Sequence, residues 1–305
     1  MEFTPTPKQE SSPYIQLLLL GIYAIGGLLV AMVIGFIIAY FFYGAALLTD
    51  KAWLSGDSPQ LLGALKILIT AQQIGLFLTP ALFLALTEGK KLRNFYDLKK
   101  PNLTPLVLVL LIMVCSMPFM SWVNETNQKM VLPEFLKGVE NWMREMEDEG
   151  AKTTEAILKM KSISDLFITL FVIAVVPAIC EEFLFRGALQ RIFLRWMKNP
   201  HVAIWVSAII FSSIHFQFYG FFPRLFLGAA FGYIYFWTGS LWYTMFAHFL
   251  NNGFAVGMAW YFQRNNLPLT NDEQIPVQWY GYIISAILTL ALFKLLKDKT
   301  AKKEI

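Results

Sequence analysis

Charge is scarce in this chain. Only 15% of its 305 residues are Asp, Glu, Lys or Arg, while 56% are hydrophobic. Soluble proteins carry roughly 25% charged residues, so a surface this poor in charge is expected to face lipid more than water. Cysteine is nearly absent. Cys115 and Cys180 supply neither a disulfide framework nor a metal knuckle, and each reads as a small apolar residue within an apolar run. No basic stripe interleaved with aromatics is present, which excludes nucleic acid as a partner, and the net charge of +4 bears on membrane orientation instead. No repeat of roughly 20–50 residues recurs, and no inverted half-repeat of transporter type is found. The stretch Met1 to Pro13 holds acids and a lysine with no small-residue cleavage site behind it, so it is not expected to be a removable signal peptide.

What the chain does have is long apolar runs. A hydrocarbon core about 30 Å thick takes roughly 20 helical residues, and eight segments qualify: 14–48, 61–87, 103–123, 166–180 with a continuation, 202–218, 222–238, 241–262 and 277–296. The first is overlong and is expected to tilt or protrude. The expected fold class is all-α, a polytopic membrane protein of about eight transmembrane helices with both termini cytoplasmic. In that orientation the inside segments hold fifteen Lys and Arg and the outside segments eight, the bias that retained cytoplasmic loops show. The chain 1–305 reads as a single transmembrane domain. Its one sizeable extramembrane piece is 124–164, where Leu136, Val139, Trp142, Met143 and Met146 recur at helical spacing among acidic clusters. An extracytoplasmic amphipathic helix against the bilayer surface is expected there.

Ionisable residues inside a span are costly, so each needs a partner or a job. Three clusters stand out: Glu181-Glu182-Phe183-Leu184-Phe185-Arg186, Phe211-Ser212-Ser213-Ile214-His215, and His248-Phe249-Leu250-Asn251-Asn252. Residues four apart share a helix face. Glu182 and Arg186 therefore pair, leaving Glu181 on another face without an easy partner in its own helix, and His248 and Asn252 converge. His215 comes from a different helix. His201 sits at an ordinary helix start.

This set suits amide hydrolysis, which needs a base for water, stabilisation of the oxyanion and an acid for the leaving amine. Glu181, among apolar neighbours, is the expected general base. His215 and His248 either bind a metal that activates the same water or act directly as proton donors and oxyanion partners. Asn252 supplies an amide donor in either case.

The ordered triplet of Glu-Glu-x-x-x-Arg, Phe-x-x-x-His and His-x-x-x-Asn blocks resembles the CPBP family of intramembrane proteases, also called the CAAX-protease and bacteriocin-processing family. The likeness covers about 181–252, with a catalytic core of about 165–262 around it. It implies an eight-helix fold in which Glu181, His215, His248 and Asn252 surround a water-filled cavity open to the cytoplasmic side. Glu182 and Arg186 would position the helix or grip a substrate carboxylate. It also implies a peptide or membrane-protein substrate and residence in the cell membrane, on a bacterial reading of the chain. The family name implies Zn2+ or another divalent metal, with His215, His248 and Glu181 as the candidate ligands, although a metal-free glutamate mechanism is argued for the family too. Two histidines are few for catalytic zinc, which usually has three protein ligands.

Plainer readings stand beside these. Glu182 with Arg186 is simply a structural ion pair, and Ser212 and Ser213 are small packing residues rather than nucleophiles. Cys180 lacks anything to activate its thiol. Gly228 and Gly232 form a helix contact face, Gln72 and Gln73 bond between helices, and Arg224 snorkels to the interface. The rival functions are a proton-coupled transporter and a non-catalytic bacteriocin-immunity protein.

Overall fold

A backbone in hydrocarbon finds no water, so each crossing must close its own hydrogen bonds as helix. The computed structural model describes residues 9–267 and 277–300, and these are helices joined by turns, with no strand among them. Lys8, Lys302 and Lys303 of the charge count, and most of Met1 to Pro13, lie outside the described residues. In chain order the main helices are α1 (Pro13–Tyr43), α2 (Pro59–Thr87), α3 (Leu103–Gln128), α4 (Lys137–Ile157), α5 (Ile163–Met197), α6 (Pro200–Ser213), α7 (Phe221–Thr238), α8 (Leu241–Arg264) and α9 (Trp279–Thr300).

Five of these, α1, α2, α3, α5 and α9, are long and apolar enough to cross a membrane on their own. The other three expected crossings are helical but fall short by that measure. Helix α6 has 14 residues, too few for a core of about 30 Å at about 1.5 Å per residue. Helices α7 and α8 are long enough, but their apolar runs are diluted by Arg224, His248, Asn251 and Asn252. Nor does the overlong first segment run unbroken to 48. Its helix ends at Tyr43, where Gly44 takes φ +59°, a value open to a residue without Cβ.

Helix α1 is turned outward, with Leu18, Ile25 and Leu29 more than 60% exposed. A surface of that kind belongs against lipid. It docks on α2 where Gly27 meets Gly75; a Cβ on either would lie 2.5–2.6 Å from the other's carbonyl oxygen. Small residues are what allow two membrane helices this close. Helix α3 is broken by Pro118, which has no N–H to give. Ser285 of α9 bridges the next rung of the ladder: its hydroxyl donates to the Cys115 carbonyl at 2.5 Å and accepts from the Phe119 N–H at 3.1 Å.

The amphipathic helix expected within 124–164 is α4. Trp142 packs on Phe218, ring centroids 5.2 Å apart, but Val139 and Trp142 remain about half exposed. The residue α4 buries at its start is instead Glu140, which accepts from Arg144 at 2.8 Å, from Lys137 at 3.3 Å and from the Leu132 N–H at 3.3 Å. Arg144 foremost among these holds the Glu140 carboxyl below the usual carboxylate range. Glu147 accepts from the Tyr219 N–H at 3.1 Å, tying α4 to the turn that follows α6.

Helix α5 is central, with α2, α6 and α8 packed around its middle. It begins at a capping box, Ser162 with Asp165, and contains two wide π-helical turns, Phe171–Val175 and Phe183–Gln190. A third lies in α2 at Ile74–Leu78. The turns at 74–78 and 171–175 each run into a proline, Pro80 and Pro177, whose missing N–H disrupts the α-helical ladder. Turns of this kind gather at functional sites, and these flank Gln73 and Glu181-Glu182.

Candidate active site

The Glu182 and Arg186 side chains share a face of α5 and are both fully enclosed. Arg186 Nη1 lies 2.6 Å from Glu182 Oε1, and its Nη2 donates to the Gly228 carbonyl at 2.9 Å. One turn on, Gln190 Nε2 donates to the Gly232 carbonyl at 3.1 Å. The i, i+4 spacing of α5 is thus matched to the i, i+4 glycines of α7. Those glycines also admit α6, since a Cβ at Gly228 would meet Phe211 and Ala208, and one at Gly232 would meet Ile204. The contact face expected for Gly228 and Gly232 is therefore present. The guanidinium also lies 4.8 Å from the Phe211 ring centroid and 5.2 Å from that of Phe231, a cation–π cage around a buried charge.

The other half of the pair is His248. Its Nδ1 is 2.8 Å from Glu182 Oε1, while its Nε2 faces Glu181 Oε2 at 3.8 Å. Phe231 stacks on the imidazole with centroids 5.4 Å apart. One ring therefore spans two adjacent carboxylates, and both Glu181 and His248 are 4% exposed. Glu181 does have a partner, supplied from outside its helix: Gln73 of α2 donates to Oε1 at 3.1 Å. Gln73 bonds between helices as expected. That its partner is Glu181 had no signal in the motif blocks, because Gln73 lies more than 100 residues before them.

His215 and Asn252 are placed less simply. His215 is not inside a span but just beyond the end of α6, on a turn where Phe216 takes φ +52°. Its Nδ1 sits 2.8 Å from the Phe211 carbonyl, and the Phe211 ring packs edge-on against both imidazoles, 5.2 Å from His215 and 6.2 Å from His248. Burial pushes the His215 imidazole below its ordinary pKa, and the Glu181 carboxylate opposes that. Asn252 does not bond to His248. Its Nδ2 donates at 3.0 Å to the carbonyl of Ile173, four residues before Pro177, which has no N–H to return there. Arg224 does not snorkel: it donates to the Gln217 carbonyl and side chain at 2.9 and 2.6 Å, closing the turn that carries His215.

As for a metal, the ring nitrogens left over, Nε2 of His215 and of His248, are of the right type. With each Nδ1 held by a carbonyl or a carboxylate, both rings have the outer bonding that metal-ligating histidines show. Catalytic zinc nevertheless asks for three close protein ligands. Among the described residues no three His, Cys, Asp or Glu side chains are grouped to hold a metal ion.

Residues 163–254 match the Rce1-like family, type II CAAX prenyl endopeptidase Rce1-like. This chain is also 30% identical over 107 residues to the uncharacterized protein YpbD of Bacillus subtilis (strain 168). That likeness covers 34% of the chain and 49% of the relative, so only about half the length of YpbD is spanned. No solved structure matches. The matched stretch opens with α5 and ends within α8, encloses Glu181, Glu182, Arg186, His215, His248 and Asn252, and supports a likeness to the CPBP/CAAX proteases over that part of the chain.

Proposed function

We propose that the protein is an intramembrane endopeptidase that cuts a peptide or membrane-protein substrate by water activation at Glu181. The observation that carries this reading is the buried pairing of Glu181 and Glu182 with a single imidazole, that of His248. The two carboxylates have unlike surroundings. Glu182 is tied to Arg186 and to His248 Nδ1, so it balances the guanidinium and holds the ring in one orientation. Glu181 accepts one amide hydrogen bond on Oε1 and keeps Oε2 for water.

The chemistry follows from those positions. Oε2 of Glu181 takes a proton from water as the oxygen attacks the scissile carbonyl carbon. The oxyanion that forms needs donors. His215, when protonated, offers Nε2–H, and Asn252 keeps one amide hydrogen beyond its bond to Ile173. The proton on Glu181 then passes to the leaving amine, directly or through His248 Nε2, and the C–N bond breaks. No step is assigned to a metal, because the donors are not gathered into a three-ligand set. Were Zn2+ or another divalent ion held by His215, His248 and Glu181, it would supply Lewis-acid activation of the same water.

The same proposal places the protein as a multi-pass protein of the cell membrane in a bacterium, with α6, α7 and α8 completing eight crossings and both ends cytoplasmic. The test is a comparison of peptide termini in membranes containing the wild-type chain or Glu181→Ala at equal expression. New termini that need Glu181 identify the substrate and cleavage site. Identical termini in the two membranes would contradict the proposal.

A further inference from the structure

We infer that Gln73 of α2, outside the family-matched stretch, is the residue that positions Glu181 for water activation; this rests on the function proposed above. An ionised carboxylate only accepts hydrogen bonds, so Gln73 must present its Nε2 to Glu181, as it does at 3.1 Å. That bond occupies Oε1 and leaves Oε2 as the oxygen facing His248 Nε2 at 3.8 Å. Without it, no hydrogen bond from α2 fixes the plane of the Glu181 carboxylate.

The other end of the same amide completes the argument. Gln73 Oε1 is buried and has no hydrogen-bond partner in the protein. A buried acceptor left unsatisfied costs about as much as a lost hydrogen bond, and such orphans call for an explanation. Being bonded to the same carbon as Nε2, this oxygen lies beside the Glu181 carboxylate. It can accept the second hydrogen of a water whose first hydrogen points at Glu181. One amide thus orients both base and nucleophile.

The backbone around Gln73 is shaped to hold it there. Gln73 is the last residue before the π-helical turn Ile74–Leu78. Gly75, two residues on, is locked against Gly27 of α1 at backbone distance. The wide turn and the glycine contact set the direction in which the Gln73 side chain leaves α2.

The experiment uses full-length protein in proteoliposomes and the substrate peptide identified from the termini comparison. Gln73→Met keeps the length and packing of the side chain but removes donor and acceptor. It is expected to lower kcat about 10–100-fold, the effect of losing a hydrogen bond to a charged group, with KM and the thermal midpoint in detergent near wild type. Gln73→Glu, of the same size, cannot donate when ionised and is expected to lose at least as much. Gln73→His, which retains an N–H, is expected to recover part of the rate. Wild-type kcat in Gln73→Met, or a fall explained by a lowered thermal midpoint, would overturn the inference while leaving the proposed function intact. Wild-type cleavage by Glu181→Gln would overturn both.

Discussion

Nδ1 of His248 lies 2.8 Å from Oε1 of Glu182, and this places the two adjacent glutamates of α5 in different roles. Glu182 is a structural carboxylate held between the Arg186 guanidinium and the His248 ring. Glu181 meets only an amide and the far edge of the ring. Substitutions at the two positions should therefore fail in different ways. Glu182→Ala strands Arg186, which is 1% exposed, and removal of one partner of a buried pair costs about 3–5 kcal/mol. A large fall in the thermal midpoint in detergent is expected, with activity lost as a consequence. Glu181→Ala is expected to keep a near-wild-type midpoint and lose cleavage. The double variant Glu182→Leu with Arg186→Met should regain most of the stability and none of the activity. Equal midpoints for the two single alanine variants would contradict this division.

Asn252 and Pro177 are coupled through one carbonyl. Since Pro177 cannot return an N–H to Ile173, Asn252→Ala should leave that carbonyl unpaired and destabilise the contact between α5 and α8 by about 0.5–1.5 kcal/mol. In a Pro177→Ala background the new N–H can take over, so the same Asn252 substitution should cost less. A double-mutant cycle on unfolding in detergent measures the coupling. Strict additivity would show that the two residues do not share the carbonyl.

Away from the candidate spans, the attachment of α4 is expected to depend on acid. The Glu140 carboxyl is held below its ordinary range chiefly by Arg144, and in an unfolded chain the glutamate pKa is about 4.3. A folded-state pKa below the unfolded one adds stability above the unfolded value, and that stability is lost as pH falls through the folded one. Relative to its intrinsic rate, hydrogen exchange of the Leu132 amide, which donates to Glu140, should be slow at neutral pH and should lose that protection as pH falls through the lowered Glu140 pKa. In Glu140→Gln it should be faster than wild type at neutral pH. Protection unchanged by either acid or substitution would contradict the tie.

Metal dependence follows from the donor geometry. With no three-ligand group among the described residues, metal-stripped protein is expected to cleave at the wild-type rate, and zinc or manganese is expected to add nothing. Loss of activity on chelation, restored by one ion together with stoichiometric metal in the purified protein, would contradict a metal-free route.

The motif blocks made most of the site legible. Helical spacing paired Glu182 with Arg186, and the pair is there at 2.6 Å. Spacing could not show that His248 would choose Glu182 through one nitrogen and face Glu181 with the other, because that depends on how α8 crosses α5. Spacing placed Asn252 on the face of His248 but could not show that its amide donates to the Ile173 carbonyl of α5, which Pro177 leaves without an N–H. Gln73 was visible as a polar residue in a span, yet nothing local names a partner 108 residues away. Apolar length exposed the five self-sufficient crossings. It overstated 202–218, since α6 ends at Ser213 and His215 stands on a strained turn beyond it. Hydropathy does not see where a helix ends.

The most direct measurement is the cleavage rate of purified Glu181→Gln in proteoliposomes, compared with wild type on the substrate identified from the termini. This change keeps the size of the side chain and its hydrogen bonding to Gln73 and removes only the base. A rate at least about 1,000-fold lower, with an unchanged thermal midpoint, is expected if water is activated at this carboxylate and general-base catalysis supplies its usual factor of about 10²–10⁴. A rate within a few-fold of wild type would contradict it.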